Sequence, residues 1–378
     1  MIFEQAETIA TDDRLTETIA TGDQLKGIDY VEFYVGNARQ AMHFYRTAFG
    51  FTPVAYAGPE TGVRDRVSYA VRQGGVFLVL TSALDADGAI ATHVNTHGDG
   101  VKDIAFTVDN AEKVFNEVVK HGARPVLEPK SFEDDDGLVT KASVAAFGDT
   151  VHSFIERSNH AATFFPGFRA LTNQAYVAPT ALHAIDHIAI AVEQGTVDRW
   201  VDYYRDVLGF HQSLEEDIAT DYSAMNSKVV QNGTGRIISV LVEPATGKRR
   251  SPIDEYLMYY GGAGVHHIAL AAEDIVHSVG NLSGHGVEFT STPRTYYDEL
   301  EHRIGRLNAD VSTLRDLHIL VDCDEWGYLM QIFSRPVQSR PTFFFEIIQR
   351  VGARGFGSGN IKALFEAIER EQLLRGNG

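Results

Sequence analysis

The sequence predicts an α+β protein made of two copies of one unit, a strand followed by a helix and further strands. Echoes in matching order carry that reading. Ile28-Asp29-Tyr30-Val31-Glu32-Phe33 returns as Ile185-Asp186-His187-Ile188-Ala189-Ile190, and Gly100-Val101-Lys102-Asp103-Ile104-Ala105 returns as Gly264-Val265-His266-His267-Ile268-Ala269. A third echo pairs His152-Ser153-Phe154-Ile155-Glu156 with Phe343-Phe344-Phe345-Glu346. A length of 378 residues suits two domains, and a hydrophobic share of 44% is ample for two cores.

Within each copy the elements follow from periodicity. Val31, Phe33 and Val35 alternate with Tyr30, Glu32 and Tyr34, the period-two pattern of a half-buried strand. Ala38 to Phe49 places Ala41, Phe44, Tyr45 and Ala48 at helical spacing, and Gly50-Phe51 ends that helix. The second copy repeats the order: a strand over 185–192, a helix from Val197 to Leu208, then Gly209-Phe210. Short apolar strands follow at Val76 to Leu80 and at Ile237 to Val242. Residues 1–26 hold a duplicated polar decamer and read as a flexible tail. The domains are then 27–157 and 184–355, joined by a linker over 158–183 rich in small and turn residues. The interval between copies widens toward the C-terminus, so extra segments sit near 290–325, where a lid or specificity loop is expected. The glycine-rich run Gly355 to Asn360 reads as a hinge. A closing helix over 356–378 follows, with Asn360 as N-cap and Ile361, Leu364, Phe365 and Ile368 on one face.

A net charge of −18 disfavours nucleic acid and anionic lipid as partners. The lone Cys323 leaves no internal disulfide to form and fits a reducing compartment. With no membrane-length apolar run and no secretory signal, a cytoplasmic location is expected. Neither a phosphate-binding glycine loop nor a serine nucleophile elbow is present.

The two copies differ in chemistry. The second has His187, His267 and Glu346 where the echoes give Tyr30, Asp103 and Glu156. Two imidazoles and one carboxylate, with further coordination positions open, form the ligand set expected of a non-haem Fe(II) oxygenase; on ligands alone manganese or zinc also fits. A buried glutamate is costly unless paired or metal-bound, which a shared cation explains. His266, next to His267, points to the opposite strand face unless a bulge re-aims it.

Longer motifs then carry a resemblance: His97-Gly98-Asp99-Gly100-Val101, Tyr260-Gly261-Gly262-Ala263-Gly264-Val265-His266-His267, Gln331-Ile332-Phe333, Arg340 to Glu346, and Gly355 to Asn360 with its helix. From Gly27 to Gly378 the chain resembles the 4-hydroxyphenylpyruvate dioxygenase and 4-hydroxymandelate synthase family. The resemblance implies two vicinal-oxygen-chelate domains (the glyoxalase, bleomycin-resistance and dioxygenase fold). Each is a half-open barrel of paired βαβββ modules, and only the C-terminal one holds Fe(II). It implies His187, His267 and Glu346 as ligands, with no catalytic residue beyond them. Ser227, Val242, Gln331, Phe333, Phe344, Phe356, Asn360 and Ile361 are the implied substrate-binding residues, and the C-terminal helix the implied gate. An aromatic 2-oxo acid is the implied substrate and O2 the co-substrate. The substrate supplies its own 2-oxo acid group, so 2-oxoglutarate is not needed. A homo-oligomer is expected. A metal-free ligand-sequestering protein of the same fold and an extradiol ring-cleaving enzyme are the competing classes; the intact triad argues against the first and the terminal helix against the second.

Some positions depart from the family pattern. Val242 and Ile361 stand where homogentisate-forming members have asparagine and phenylalanine, and mandelate-forming members carry aliphatic residues at both. Ala224 to Ser227 and Val229 to Gln231 also resemble the mandelate group, whereas Arg335 to Pro341 resembles the homogentisate group. Pro252 and His266 replace glutamines usual in both and are candidate specificity positions. The balance gives benzylic hydroxylation, to 4-hydroxymandelate, as the expected outcome and ring hydroxylation, to homogentisate, as the alternative.

Overall fold

The computed structural model describes residues 21–158, 164–172, 177–298, 300–305, 307 and 309–376. Its first half runs α1 (Thr21–Gln24), β1 (Gly27–Tyr34), α2 (Ala38–Phe49), β2 (Thr52–Ala57), β3 (Arg66–Gln73), β4 (Val76–Ala83), α3 (Ala89–His97), β5 (Gly100–Thr107), α4 (Ala111–Lys120), β6 (Pro125–Asp134), β7 (Gly137–Ala145), β8 (Val151–Ser158) and β9 (Arg169–Ala170). The second runs β10 (Leu182–Ala191), α5 (Val197–Asp206), β11 (His211–Ala219), β12 (Ala224–Gln231), β13 (Ile238–Ala245), α6 (Pro252–Tyr260), β14 (Gly264–Ala272), α7 (Ile275–Gly284), α8 (Thr295–Asp298), α9 (Leu300–Ile304), α10 (Val311–Asp316), β15 (Leu320–Cys323), β16 (Tyr328–Phe333), β17 (Phe344–Val351) and α11 (Ser358–Arg375). Each half is thus a pair of βαβββ modules, as the duplication requires.

The two sheets have matching strand orders, β6-β7-β8-β5-β1-β4-β3-β2-β9 and β11-β12-β13-β10-β14-β17-β16-β15. In both, the first strands of the two modules pair antiparallel at the centre, β1 with β5 and β10 with β14. The helices dock by their apolar faces. Asn37 caps α2 by accepting from the Gln40 N–H, and Gly50 ends it in the left-handed region at φ 76. The halves meet through aromatic rings: Phe33 lies edge-on to Phe343 at 5.1 Å, and Phe49 packs on Phe345 at 4.9 Å.

Several boundaries differ from the sequence reading. Residues 21–25 of the expected tail are folded: α1 is buried at Thr21 and Gly22, and Leu25 is in the core. Asn232 anchors them by donating to the carbonyls of Gly22 and Leu25. A Cβ on Gly22 would come within 2.3 Å of the Gly209 carbonyl oxygen, so only glycine packs there. The rest of the tail lies outside the described residues. The linker contributes β9, and its Phe164, Phe165 and Phe168 pack against the cluster that fills the first half-barrel. The expected insert is there as α8, α9 and α10. Asn360 is not the cap of α11; Gly357 precedes the helix and Asn360 is fully buried within it. Among the described residues no helix is long and apolar enough to cross a membrane.

Candidate metal centre

Strand register brings the three predicted ligands together. His187 on β10 sits opposite Ala269 of β14, and Ala269 sits beside Glu346 of β17; His267 is two residues before Ala269 on the same face. The Nε2 atoms of His187 and His267 lie 3.4 and 3.5 Å from Oε2 of Glu346. All three ligand atoms fall within 4.8 Å of one another.

Neighbouring groups turn each ligand toward a shared point. A register shift leaves Asp186 as an extra residue between Ile185 and His187, so its carboxylate reaches the adjacent ring. His187 Nδ1 donates to Asp186 Oδ1 at 2.8 Å, which aims Nε2 at the point shared with Glu346 and His267. Asp186 is held in turn by Arg350, at 2.8 and 2.9 Å. Gln331 donates to Glu346 Oε1 at 2.7 Å, which turns Oε2 toward the two imidazoles. The Gln331 carbonyl accepts from Asn360 at 2.9 Å, and Asn360 accepts from the Tyr296 hydroxyl at 2.8 Å. His267 stacks on Phe344 at 4.9 Å. A second register shift, between Ala189 and Ile190, bulges β14 at His266 and re-aims its ring, so that its Nδ1 lies 3.0 Å from His267 Nδ1.

The electrostatics suit a cation. Burial alone raises a carboxylate pKa and lowers an imidazole. Burial opposes it, yet His187 and His267 hold Glu346 down at about 2. Burial likewise opposes the upward shift of His187, but Glu346 and Asp186 push it to about 9. His267 is lowered by its burial, and His266 is lowered well below the usual range by burial and by His267. The field between the ligands attracts positive charge, which a proton on His187 or a metal ion answers. Donor set, spacing and orientation all fit a divalent transition metal with coordination positions to spare.

The corresponding place in the first half holds an ammonium. Register makes Tyr30, Asp103 and Ser153 the counterparts of His187, His267 and Glu346. The echo of Glu346 is therefore Ser153 and not Glu156, whose carboxylate instead accepts from the Ala111 N–H at the start of α4. Lys141 matches Gln331 in register and donates to Tyr30 and Asp103 at 2.7 and 2.8 Å. A further His93, His97 and Asp149 cluster carries Lys102, 3.3 Å from the Asp149 carboxylate.

Beside the triad lies a closed, mainly apolar chamber of about 40 Å³. Of the sequence-predicted residues, Ser227, Val242, Gln331, Phe333, Phe356, Ile361 and His266 line it. Three do not. Phe344 backs His267 and, with Pro252, faces an adjoining cavity of about 30 Å³; Asn360 stands behind Gln331. The sequence reading missed Met225, Val240, Ile253, Leu364 and Phe365 in the wall, and Asp186 and Arg350 behind His187. The last pair had a signal, because Asp29 and Arg157 form the same bridge in the first half at 2.6 Å.

Paired half-barrels with a two-histidine, one-carboxylate centre in one of them define a metal-dependent oxygenase class. Comparison with known proteins narrows it. Residues 22–167 match the family described as hydroxyphenylpyruvate dioxygenase, N-terminal, and residues 184–304 match the glyoxalase/bleomycin resistance protein/dioxygenase superfamily. The 4-hydroxyphenylpyruvate dioxygenase of Yarrowia lipolytica is 43% identical over 94% of this chain and 94% of its own. That of Aspergillus fumigatus is 41% identical over 97% and 96%. A mutant of 4-hydroxymandelate synthase from Streptomyces coelicolor superposes with a TM-score of 0.85 at 37% identity, over 92% of this chain and 99% of its own. The chain belongs to the 4-hydroxyphenylpyruvate dioxygenase family, enzymes of the non-haem iron dioxygenase class.

Proposed function

We propose that this protein is an Fe(II)-dependent dioxygenase of aromatic 2-oxo acids that converts 4-hydroxyphenylpyruvate and O2 to carbon dioxide and homogentisate. The observation that carries the proposal is the complete triad, oriented by its neighbours, opening on an apolar chamber. Iron, when bound, supplies the site at which the 2-oxo acid chelates and dioxygen is activated. His187, His267 and Glu346 would hold it; zinc and manganese remain outcomes of metal analysis. The rest is the work of this chain's side chains. Phe333 and Phe356 are flat walls for an aryl ring. Gln331 fixes Glu346 while its own carbonyl is taken by Asn360, so it adds no loose polar group beside the reacting carbons. Val242, Ile253, Ile361 and Leu364 keep water out. At about 40 Å³ the chamber is too small for the substrate, and Phe356 and α11, which wall it, are the elements proposed to move.

The curated relatives bear the name of the homogentisate-forming enzyme, which favours ring hydroxylation over the benzylic outcome expected from residues 242 and 361. One observation favours the second reading: Val242 and Ile361 both line the chamber, so neither offers the ring a polar anchor or an aromatic partner. Anaerobic loading with Fe(II), one turnover with 4-hydroxyphenylpyruvate and oxygen, and separation of the isomeric products decides between them. Homogentisate as the main product supports the first reading, and 4-hydroxymandelate the second. Neither product, with iron bound through the triad, would overturn both.

A further inference from the structure

The closed chamber is far below the roughly 300 Å³ at which small-molecule sites begin. Next to it is a much larger cavity of about 720 Å³, bordered by the exposed Trp326, Arg236 and Arg354 and so open to solvent. Phe356 is the one residue common to the two linings. Its ring stands edge-on to His187 at 5.1 Å on one side, with the Arg350 guanidinium 5.1 Å from its centre. A single side chain therefore separates the outer cavity from the metal ligands.

The outer cavity is basic on a chain of net charge −18. Arg236, Arg350 and Arg354 face one carboxylate in its lining, Asp186, and Arg350 already binds that one. Arg236 and Arg354 have no carboxylate partner among the described residues; Arg354 lies over the Trp326 ring at 5.0 Å. The nearby Asp324 carboxylate is engaged by the backbone N–H groups of Trp326, Gly327, Arg354 and Gly355.

The first half supplies the contrast. There Phe164 takes the place of Phe356, 5.3 Å from Tyr30 and under Arg157 at 5.6 Å, and Phe168 packs behind it at 5.3 Å. The half without the triad has this corridor filled with aromatic rings, and the half with it has the corridor open and lined with arginine.

We propose that the outer cavity is a receiving site for the anionic 2-oxo acid, in which Arg236 and Arg354 capture the carboxylate, Trp326 meets the aryl group, and a swing of Phe356 passes the molecule to the metal. This rests on the oxo-acid reading above. A guanidinium pairs well with a carboxylate, and a local positive cleft on an acidic protein raises the capture rate of anions that the rest of the surface repels. Such steering fades as the screening length shrinks with salt.

Stopped-flow fluorescence of the full-length protein tests it without turnover. Trp326 is one of two tryptophans, and a Trp200→Phe background isolates its emission. Mixing with 4-hydroxyphenylpyruvate under anaerobic conditions should give a fast bimolecular phase, present with or without Fe(II) and slowed by raising salt from about 20 to about 300 mM. A slower phase should require Fe(II). Arg236→Gln with Arg354→Gln should lower the fast rate constant by about fivefold or more at low salt and flatten its salt dependence. Arg236→Gln alone leaves the environment of Trp326 intact and should give part of that loss. Phe356→Ala should speed the slow phase only. A wild-type fast phase indifferent to salt, or one unchanged in the double variant, overturns the receiving site. Loss of the Fe(II)-dependent phase in the wild type instead overturns the oxo-acid reading, with the receiving site judged by the fast phase.

Discussion

Asp186→Asn isolates what the neighbours of a ligand contribute, because the duplication provides its own control. Asp186 accepts from His187 Nδ1 at 2.8 Å and grips Arg350 through both oxygens. Its counterpart Asp29 grips Arg157 at 2.6 and 3.2 Å, but Tyr30 follows it and no metal ligand is involved. Both carboxylates are mostly buried, at 13% and 8% side-chain exposure. Removing either charge leaves an arginine poorly matched, at a cost of about 1–3 kcal/mol in stability. Only Asp186 also sets the tautomer and basicity of a proposed ligand, and loss of such a partner lowers metal affinity by about 10–100-fold, or roughly 1.4–2.8 kcal/mol. Asp186→Asn should therefore lose both stability and affinity, and Asp29→Asn stability alone. Urea unfolding of the metal-free proteins measures the first quantity, and Fe(II) titration against a competing chelator the second. Equal affinity losses in the two variants, or none in Asp186→Asn, would refute the orienting role.

Three further outcomes are expected. With His187 raised to about 9 in the folded, metal-free protein, its contribution to stability is complete below its unfolded value near 6.5. That contribution is lost as pH rises through 9, so metal-free stability should decline over this window, and metal uptake at neutral pH should release about one proton, measurable in weakly buffered solution. Lys141→Met strands the buried Asp103 carboxylate and should cost about 3 kcal/mol in unfolding free energy while metal content stays unchanged; a fall in metal content would mean that the halves are coupled at their centres. Val242→Asn with Ile361→Phe should raise the ratio of homogentisate to 4-hydroxymandelate, with non-additive single effects because both residues line one chamber; an unmoved ratio would remove these positions from product control.

The duplication, both barrels and the convergence of His187, His267 and Glu346 were legible because they rest on period-two strands and on residue types whose burial demands a partner. What escaped the sequence depended on register. The Glu156 echo looked right because a glutamate closes both segments, yet pairing of β8 with β5 puts Ser153 beside Ala105, where β17 puts Glu346 beside Ala269. His266 was ambiguous because alternation assigns it to the far face, and a one-residue bulge returned it to the chamber. Asn360 has the chemistry of a cap, but Gly357 in the left-handed region starts the helix earlier and frees the amide to reach Gln331. Polar composition made residues 21–25 look like tail. Their docking depends on Asn232, over 200 positions away, and on the absence of a side chain at Gly22.

The first half shows how the same fold is held together without the triad. A buried carboxylate needs a cation nearby, and Lys141 supplies one to Asp103 where the second half would bring a metal to Glu346. The Asp29–Arg157 bridge persists although it orients no ligand, since removing one partner would strand the other. The retained half also holds the working one in place. Phe343 and Phe345 flank the strand start before Glu346, and they pack on Phe33, Tyr45 and Phe49 of the first half. Gln338, just upstream, accepts from the Asp99 N–H, and Arg340 donates to the Asn95 carbonyl at the C-terminal end of α3. The strand that carries Glu346 is therefore clamped from the other domain. Substitutions at Phe33 or Phe49, remote from the chemistry, should loosen Glu346 and weaken metal binding through its position rather than its charge.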